Sequence, residues 1–279
     1  MAIRFKTEKR IINGNLKLLI LRPRFQRKPK EKTPGILWIH GGGFCTGDTW
    51  MIHLSRGLNL VRKYGAVIVS PSYRLSTVAP YPAAFEDCYE ALKYLKDHAD
   101  ELGINPNQIM VGGESAGGNL AAAVCMCARD KGDVNVAFQM PLYPMLDNQD
   151  TESSRDNHGP SWDTEKNHAA WKQYLAGIQE PYPVYAVPAR QTDYTSLPPA
   201  YTFIGDKEPF YCETMTFVKK LQEAGVPVSV DVYPTDYHAF DMLPSFSKMR
   251  REAIDNFEKQ YLYATEHYFA PQPDTVSDI

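Results

Sequence analysis

Gln108-Ile109-Met110-Val111-Gly112-Gly113-Glu114-Ser115-Ala116-Gly117 is a short apolar run ending in G-x-S-x-G, and the alanine-rich stretch 116–130 follows it without a loop. The run has the length and composition of a covered strand, and the alanines those of a helix. A serine between the two sits on a sharp strand-to-helix bend that presents its hydroxyl. Side chains at 113 and 117 would clash across so tight a turn, which is the steric reason for glycine there. The helix opening at 116 also directs free N–H groups toward the bend. Alone the motif is weak: at ordinary glycine and serine frequencies it turns up in about one chain of this length in ten. A serine N-cap in an ordinary βα loop would carry the same letters.

His40-Gly41-Gly42-Gly43 lies some seventy residues upstream, directly after the buried-strand pattern Ile36-Leu37-Trp38-Ile39. Such a string arises by chance in roughly one chain in several hundred. Glycines there let backbone approach a substrate with no Cβ in the way. Gly42 and Gly43 are the expected donors of N–H groups to an oxyanion, with the Ala116 N–H as a third. A flexible glycine turn is the plainer reading of the loop alone. A phosphate site is not indicated, since neither G-x-G-x-x-G nor G-K-[ST] follows.

Around these motifs strands and helices alternate. Residues 3–12 and 15–22 form a hairpin about Asn13-Gly14, a strong turn signal. A helix over 50–63 leads to a strand at 66–70, and a helix over 83–98 follows Pro82. Further strands are expected at 136–142, 200–204 and 228–233, with helices over 211–224 and 245–264 and a polar tail at 270–279. The alternation breaks at 147–190, a polar, aromatic-rich stretch with one helix candidate at 164–176, which has the character of an insertion over the sheet. The expectation is a single α/β domain over 1–279 with a mostly parallel sheet covered on both faces and a small cap at about 147–190. Ligands bind such sheets outside the carboxyl ends of the strands, where every motif named here falls.

A serine hydroxyl needs a base. Of seven histidines, 40, 53, 98, 158, 168, 238 and 267, His238 follows the last strand in Tyr233-Pro234-Thr235-Asp236-Tyr237-His238-Ala239-Phe240, where a loop can bring it over the sheet. His40 ends a strand and is better suited to holding the glycine loop. The order nucleophile, acid, base requires the acid after the strand at 200–204. Asp206 and Glu208 both stand there, and spacing does not choose between them.

The 279 residues are 43% hydrophobic and 23% charged, which excludes a disordered chain, and the net charge of −3 gives no reason to propose nucleic acid as partner. Residues 1–32 carry eleven Lys/Arg against Glu8 and Glu31, a pattern suited to a solvated basic edge hairpin. Cysteines 45, 88, 125, 127 and 212 are odd in number and follow no disulfide spacing. The opening residues lack an apolar leader core and no stretch nears eighteen apolar residues, so a reducing cytoplasm and no membrane span are expected.

Taken together the residues resemble the hormone-sensitive-lipase-like branch of the α/β-hydrolases, which includes bacterial carboxylesterases and acetyl esterases. The resemblance runs from about 33 to 262. It covers the H-G-G-G loop, Ser72-Tyr73-Arg74-Leu75 with Asp87, Gly113 to Leu120, Leu197-Pro198-Pro199-Ala200, Ala224-Gly225-Val226-Pro227-Val228 and His238-Ala239-Phe240. It implies the α/β-hydrolase fold and a serine carboxylesterase of small, short-acyl esters, with no cofactor and no metal. Glu208-Pro209-Phe210 occupies the place of the family's Asp-Pro-Leu, which makes Glu208 the acid beside Ser115 and His238. Glutamate there departs from the usual aspartate, and His-Ala-Phe from the commoner His-Gly-Phe. The loop at 40 leaves little room for the N-terminal helices that members often place over the site, so the cap must come mainly from 147–190 and the acyl pocket is differently shaped. Amide or peptide cleavage on the same groups is the alternative. Plant gibberellin receptors resemble the family yet bind without turnover, having lost the base that His238 supplies here. Members often dimerise, and a homodimer is left open.

Overall fold

The computed structural model describes residues 3–24, 32–243 and 247–273. Asn13 and Gly14 take left-handed φ values of 48° and 82°. Such a mirror-image turn matches strand twist, and it joins β1 (Phe5–Ile12) to β2 (Leu16–Pro23) in antiparallel register. Arg10 and Arg22 both meet Glu8 at 2.7 Å, so part of the basic excess is paired across this edge hairpin. Residues 25–31, which hold Arg27, Lys28 and Lys30, lie outside the described residues, as do 274–279 of the expected tail.

Six more strands complete one sheet: β3 (Thr33–Ile39), β4 (Val67–Pro71), β5 (Ile104–Glu114), β6 (Phe138–Leu142), β7 (Ala200–Gly205) and β8 (Val228–Tyr233). The order is β1-β2-β4-β3-β5-β6-β7-β8, antiparallel at β1/β2 and β2/β4 and parallel elsewhere. Ile36–Ile39, Val67–Val69 and Ile109–Val111 are buried throughout, as strands covered on both faces must be. Helices α1 (Arg56–Tyr64) and α7 (Lys248–His267) share one face, tied by Lys63 and Tyr64 to Glu258, with Phe257 edge-on to Trp38. Helices α2 (Ala83–Asp97), α4 (Ala116–Lys131) and α6 (Tyr211–Glu223) cover the other, where Ala122 and Met126 join Phe217 and Leu221 in one cluster. A four-residue helix, α3 (Ala99–Leu102), precedes β5, and α5 (Thr164–Tyr174) lies in the segment between β6 and β7.

Most boundaries fall within two residues of the sequence expectation, with larger differences at α1, β5 and α7. The helix expected over 50–63 is a 3-10 turn at Thr49–His53 followed by α1, because Ser55 accepts the Gly57 N–H at 3.1 Å and starts the helix afresh. β5 begins at Ile104 rather than 108, its pairing with β3 resuming at Gly35 and Ile109 after an irregular step. The last helix starts at Lys248, capped by Ser247, and runs to His267. All five cysteines are free thiols, with Cys125 and Cys127 buried in α4. No helix among the described residues is long and apolar enough to cross a membrane.

Candidate active site

The bend between β5 and α4 is built from backbone. Ser115 takes φ 58° and ψ −121°, a region that a non-glycine residue holds only when its surroundings fix it. Here they do. The Ser115 N–H donates to the Leu142 carbonyl at 3.0 Å, while its own carbonyl accepts from Asn119 N–H at 3.1 Å and Met145 N–H at 3.2 Å. A Cβ on Gly113 would lie 2.4 Å from the Gly117 oxygen, and one on Gly117 would lie 2.2 Å from the Ile39 oxygen. These are backbone atoms, one in the first turn of α4 and one at the end of β3, so neither neighbour can step aside.

His238 arrives from the loop after β8. Its Nε2 lies 2.8 Å from Ser115 Oγ, and its Nδ1–H donates to Glu208 Oε2. Glu208 is held in turn: its Oε1 accepts the Gly205 N–H at 2.8 Å, and its side chain is wholly buried. Asp206, the other acid that spacing left open, accepts the Thr235 N–H at 3.1 Å in a surface turn and does not meet His238. Tyr143 and Phe210 stand edge-on to the His238 ring at 5.2 and 4.9 Å. The remaining histidines are engaged elsewhere. His168 faces Asp150, His158 faces Asp156, and His98 and His267 stack on Tyr94 and Tyr263. His53 ends the exposed 3-10 turn.

The glycine loop closes over the bend. A Cβ on Gly41 would fall 3.3 Å from that of Ser115. The Gly42 carbonyl accepts from the Cys45 and Thr46 N–H groups, curling the loop, and Gly42 and Gly43 take φ values of 113° and 58°. A Cβ on Gly42 would meet the Thr46 oxygen at 2.2 Å. The N–H groups of Gly42, Gly43 and Ala116 find no acceptor among the described residues. His40 holds the loop: its Nδ1–H donates to the Gly41 carbonyl at 2.8 Å and its ring stacks on Tyr73 at 4.2 Å. Burial lowers its pKa, which keeps the imidazole neutral for that bond. Among the described residues, no cluster of three or more His, Cys, Asp or Glu side chains could hold a metal ion.

Two groups of residues escape sequence reasoning. Trp162, in the segment before α5, lies between His238 and Gly43, with ring centroids 6.4 Å apart from His238. Behind the bend, Arg56 Nε pairs with Asp241 Oδ2 at 2.9 Å with both side chains buried. Glu114 is buried beside this pair and accepts the Trp38 indole N–H at 2.9 and 3.0 Å. Burial, reinforced by the negative charge of Asp241, pushes the Glu114 carboxyl up to about 8. A neutral Glu114 leaves Arg56 and Asp241 as a balanced pair. No local pattern announces either group, because the partners are far apart in sequence.

A family model described as alpha/beta hydrolase fold matches residues 36–242. Esterase LipI of Mycobacterium tuberculosis is 34% identical over 218 residues, covering 76% of this chain and 67% of that protein. Carboxylesterase NlhH of the same organism is 30% identical over 221 residues, with the same shares covered. Among solved structures, a bacterial heroin esterase superposes with a TM-score of 0.86 at 31% identity, covering 94% of this chain and 84% of its own. The match spans the loop, the bend and the histidine alike, and the chain therefore belongs to the α/β-hydrolase fold family, in its hormone-sensitive-lipase-like branch.

Proposed function

We propose that the protein is a serine carboxylesterase that cleaves small, short-acyl esters through Ser115, His238 and Glu208. The observation that carries this reading is one buried imidazole bridging a buried hydroxyl and a buried carboxylate, with Nε2 2.8 Å from Ser115 Oγ. Glu208 holds the imidazole in the tautomer whose Nε2 is free to accept a proton, and it stabilises the cation that results. Ser115 Oγ attacks the ester carbonyl as His238 takes its proton. The N–H groups of Gly42, Gly43 and Ala116 receive the negative charge that develops on oxygen. His238 then returns the proton to the departing alcohol, leaving an acyl group on Ser115. Water, deprotonated by His238, releases the acid.

The reading also treats residues 147–190 as a cap within one domain. Trp162 and Ala170 of this stretch pack against Gly43, which supports a covering role. Phe44 and Tyr174 stack at 3.8 Å beside the loop, filling that flank with protein and favouring a short acyl chain. The names of the relatives, esterase and carboxylesterase, support the reaction class. Hydrolysis of p-nitrophenyl esters from acetate to palmitate tests it. The expected result is turnover that falls steeply with acyl length and is abolished in Ser115→Ala. Equal turnover of acetyl and long-chain esters would contradict the short-acyl part.

A further inference from the structure

Trp162 spans from the base to the glycine loop. Its ring is inclined by 48° to that of His238, and a Cβ on Gly43 would come within 2.5 Å of Trp162 Cη2 and 3.2 Å of Cζ2. The chain on either side is pinned. Ser161 Oγ–H donates to the His238 carbonyl at 3.0 Å, and Asp163 caps α5 by accepting the Lys166 N–H at 2.8 Å. The backbone that carries the ring is thereby tied to the His238 loop on one side and to α5 on the other.

The tetrahedral carbon of an ester under attack carries four substituents. One is Ser115 Oγ, and one is the oxyanion at the loop N–H groups. The third, the leaving oxygen, must come within hydrogen-bond reach of His238 Nε2 to be protonated. The fourth, the acyl chain, stays bonded and extends on the side away from both. A ring wedged between His238 and Gly43 lies alongside the leaving oxygen. We propose that Trp162 is a specificity-determining residue that bounds the alcohol portion of the substrate, so that the enzyme takes esters of small or flat alcohols and rejects bulky secondary ones. The proposal rests on the esterase reading of the same site.

Two ester series separate alcohol from acyl: acetates of methanol, butan-1-ol and cyclohexanol, and methyl esters of acetic, butyric and octanoic acids. Each is measured as kcat/KM for wild type, Trp162→Ala, Trp162→Leu and Trp162→Phe. Ratios are taken within each variant, so partial loss of folded enzyme cancels. Hydrophobic-pocket discrimination runs at about 10–200-fold per misfit, so Trp162→Ala is expected to raise the cyclohexyl-to-methyl ratio at least ~10-fold. Trp162→Leu should do so less, and Trp162→Phe least. The octanoate-to-acetate ratio stays near the wild-type value. A change confined to the acyl series, or no change in either series, overturns the assignment. If wild type cleaves no ester and forms no adduct with a fluorophosphonate, the esterase reading itself fails, which is a distinct result from unmoved ratios in an active enzyme.

Discussion

Replacing Glu208 by glutamine exchanges one carboxylate oxygen for an NH2 group in a pocket where both oxygens are engaged. Oε1 accepts the Gly205 N–H at 2.8 Å, and Oε2 accepts the His238 Nδ1–H. Glutamine can satisfy both neighbours in only one way. Its carbonyl must face the Gly205 N–H, because turning it the other way would set two donors against each other, at about 1–3 kcal/mol for a buried group left unpaired. Its NH2 then faces Nδ1, which must become an acceptor. The imidazole proton moves to Nε2, 2.8 Å from Ser115 Oγ, and the base loses the lone pair it needs. A forced wrong tautomer of this kind lowers kcat by about 10⁴. That corresponds to about 5.5 kcal/mol at ~1.4 kcal/mol per factor of ten. The fold is spared, since every buried polar atom keeps a partner. The assay is steady-state hydrolysis of p-nitrophenyl acetate beside thermal unfolding, with Asp206→Asn as control. Asp206 lies in a surface turn, so its variant should keep activity within about twofold and stability within about 0.5 kcal/mol. Loss of activity in Asp206→Asn with retention in Glu208→Gln would refute the reasoning.

Other expectations follow from the same geometry. Gly42→Ala places a methyl 2.2 Å from the Thr46 oxygen at φ 113° and displaces the loop, so kcat for p-nitrophenyl acetate should fall by about 10²–10³, the cost of one oxyanion donor. Arg56→Ala strands Asp241 in the core, which should cost about 3–5 kcal/mol and lower Tm by roughly 10 °C in calorimetry. Burial keeps the proton on Glu114 in the folded protein up to about 8, whereas a solvated glutamate in the unfolded chain gives it up near its ordinary 4.5. The folded state therefore binds the extra proton between those limits, and stability falls by up to ~1.4 kcal/mol per pH unit as pH rises through them. Glu114→Gln removes this titration, so the Tm difference between variant and wild type should widen in the variant's favour from pH 5 to pH 8. Ala239 holds a left-handed φ of 57°, and Ala239→Gly should raise stability by about 0.5–1 kcal/mol in urea unfolding, the relieved strain exceeding the added chain entropy.

The parts of the fold visible in the sequence are those fixed by neighbours in the chain. Ile36–Ile39 and Ile109–Val111 announce themselves because strands buried on both faces need continuous apolar runs, and Asn13-Gly14 because few residue pairs tolerate its turn. The loop and the bend are legible for a related reason. Gly41, Gly42, Gly113 and Gly117 answer to backbone atoms within 3 Å of where a Cβ would stand, which no side chain tolerates. The choice between Asp206 and Glu208 is different. It depends on which carboxylate the turn after β7 aims inward, and Thr235 decides that by drawing Asp206 to the surface from 29 residues away. Arg56, Glu114 and Asp241 come from three separate elements, and each alone looks like a surface charge until folding buries them together. Trp162 sits in a stretch without periodicity, and only the packing of that stretch on Gly43 gives it a place over the site. The split helix at Ser55 turns on a single side-chain hydrogen bond competing with the helical ladder.

The central claim is that Ser115 Oγ becomes a nucleophile because His238 removes its proton. Mass spectrometry after reaction with a fluorophosphonate tests it most directly, comparing wild type with His238→Ala. The account predicts one adduct per chain on the peptide containing Ser115 in wild type, with labelling slowed by orders of magnitude in the variant. An adduct on a different residue, or unchanged labelling of Ser115 without His238, would contradict it.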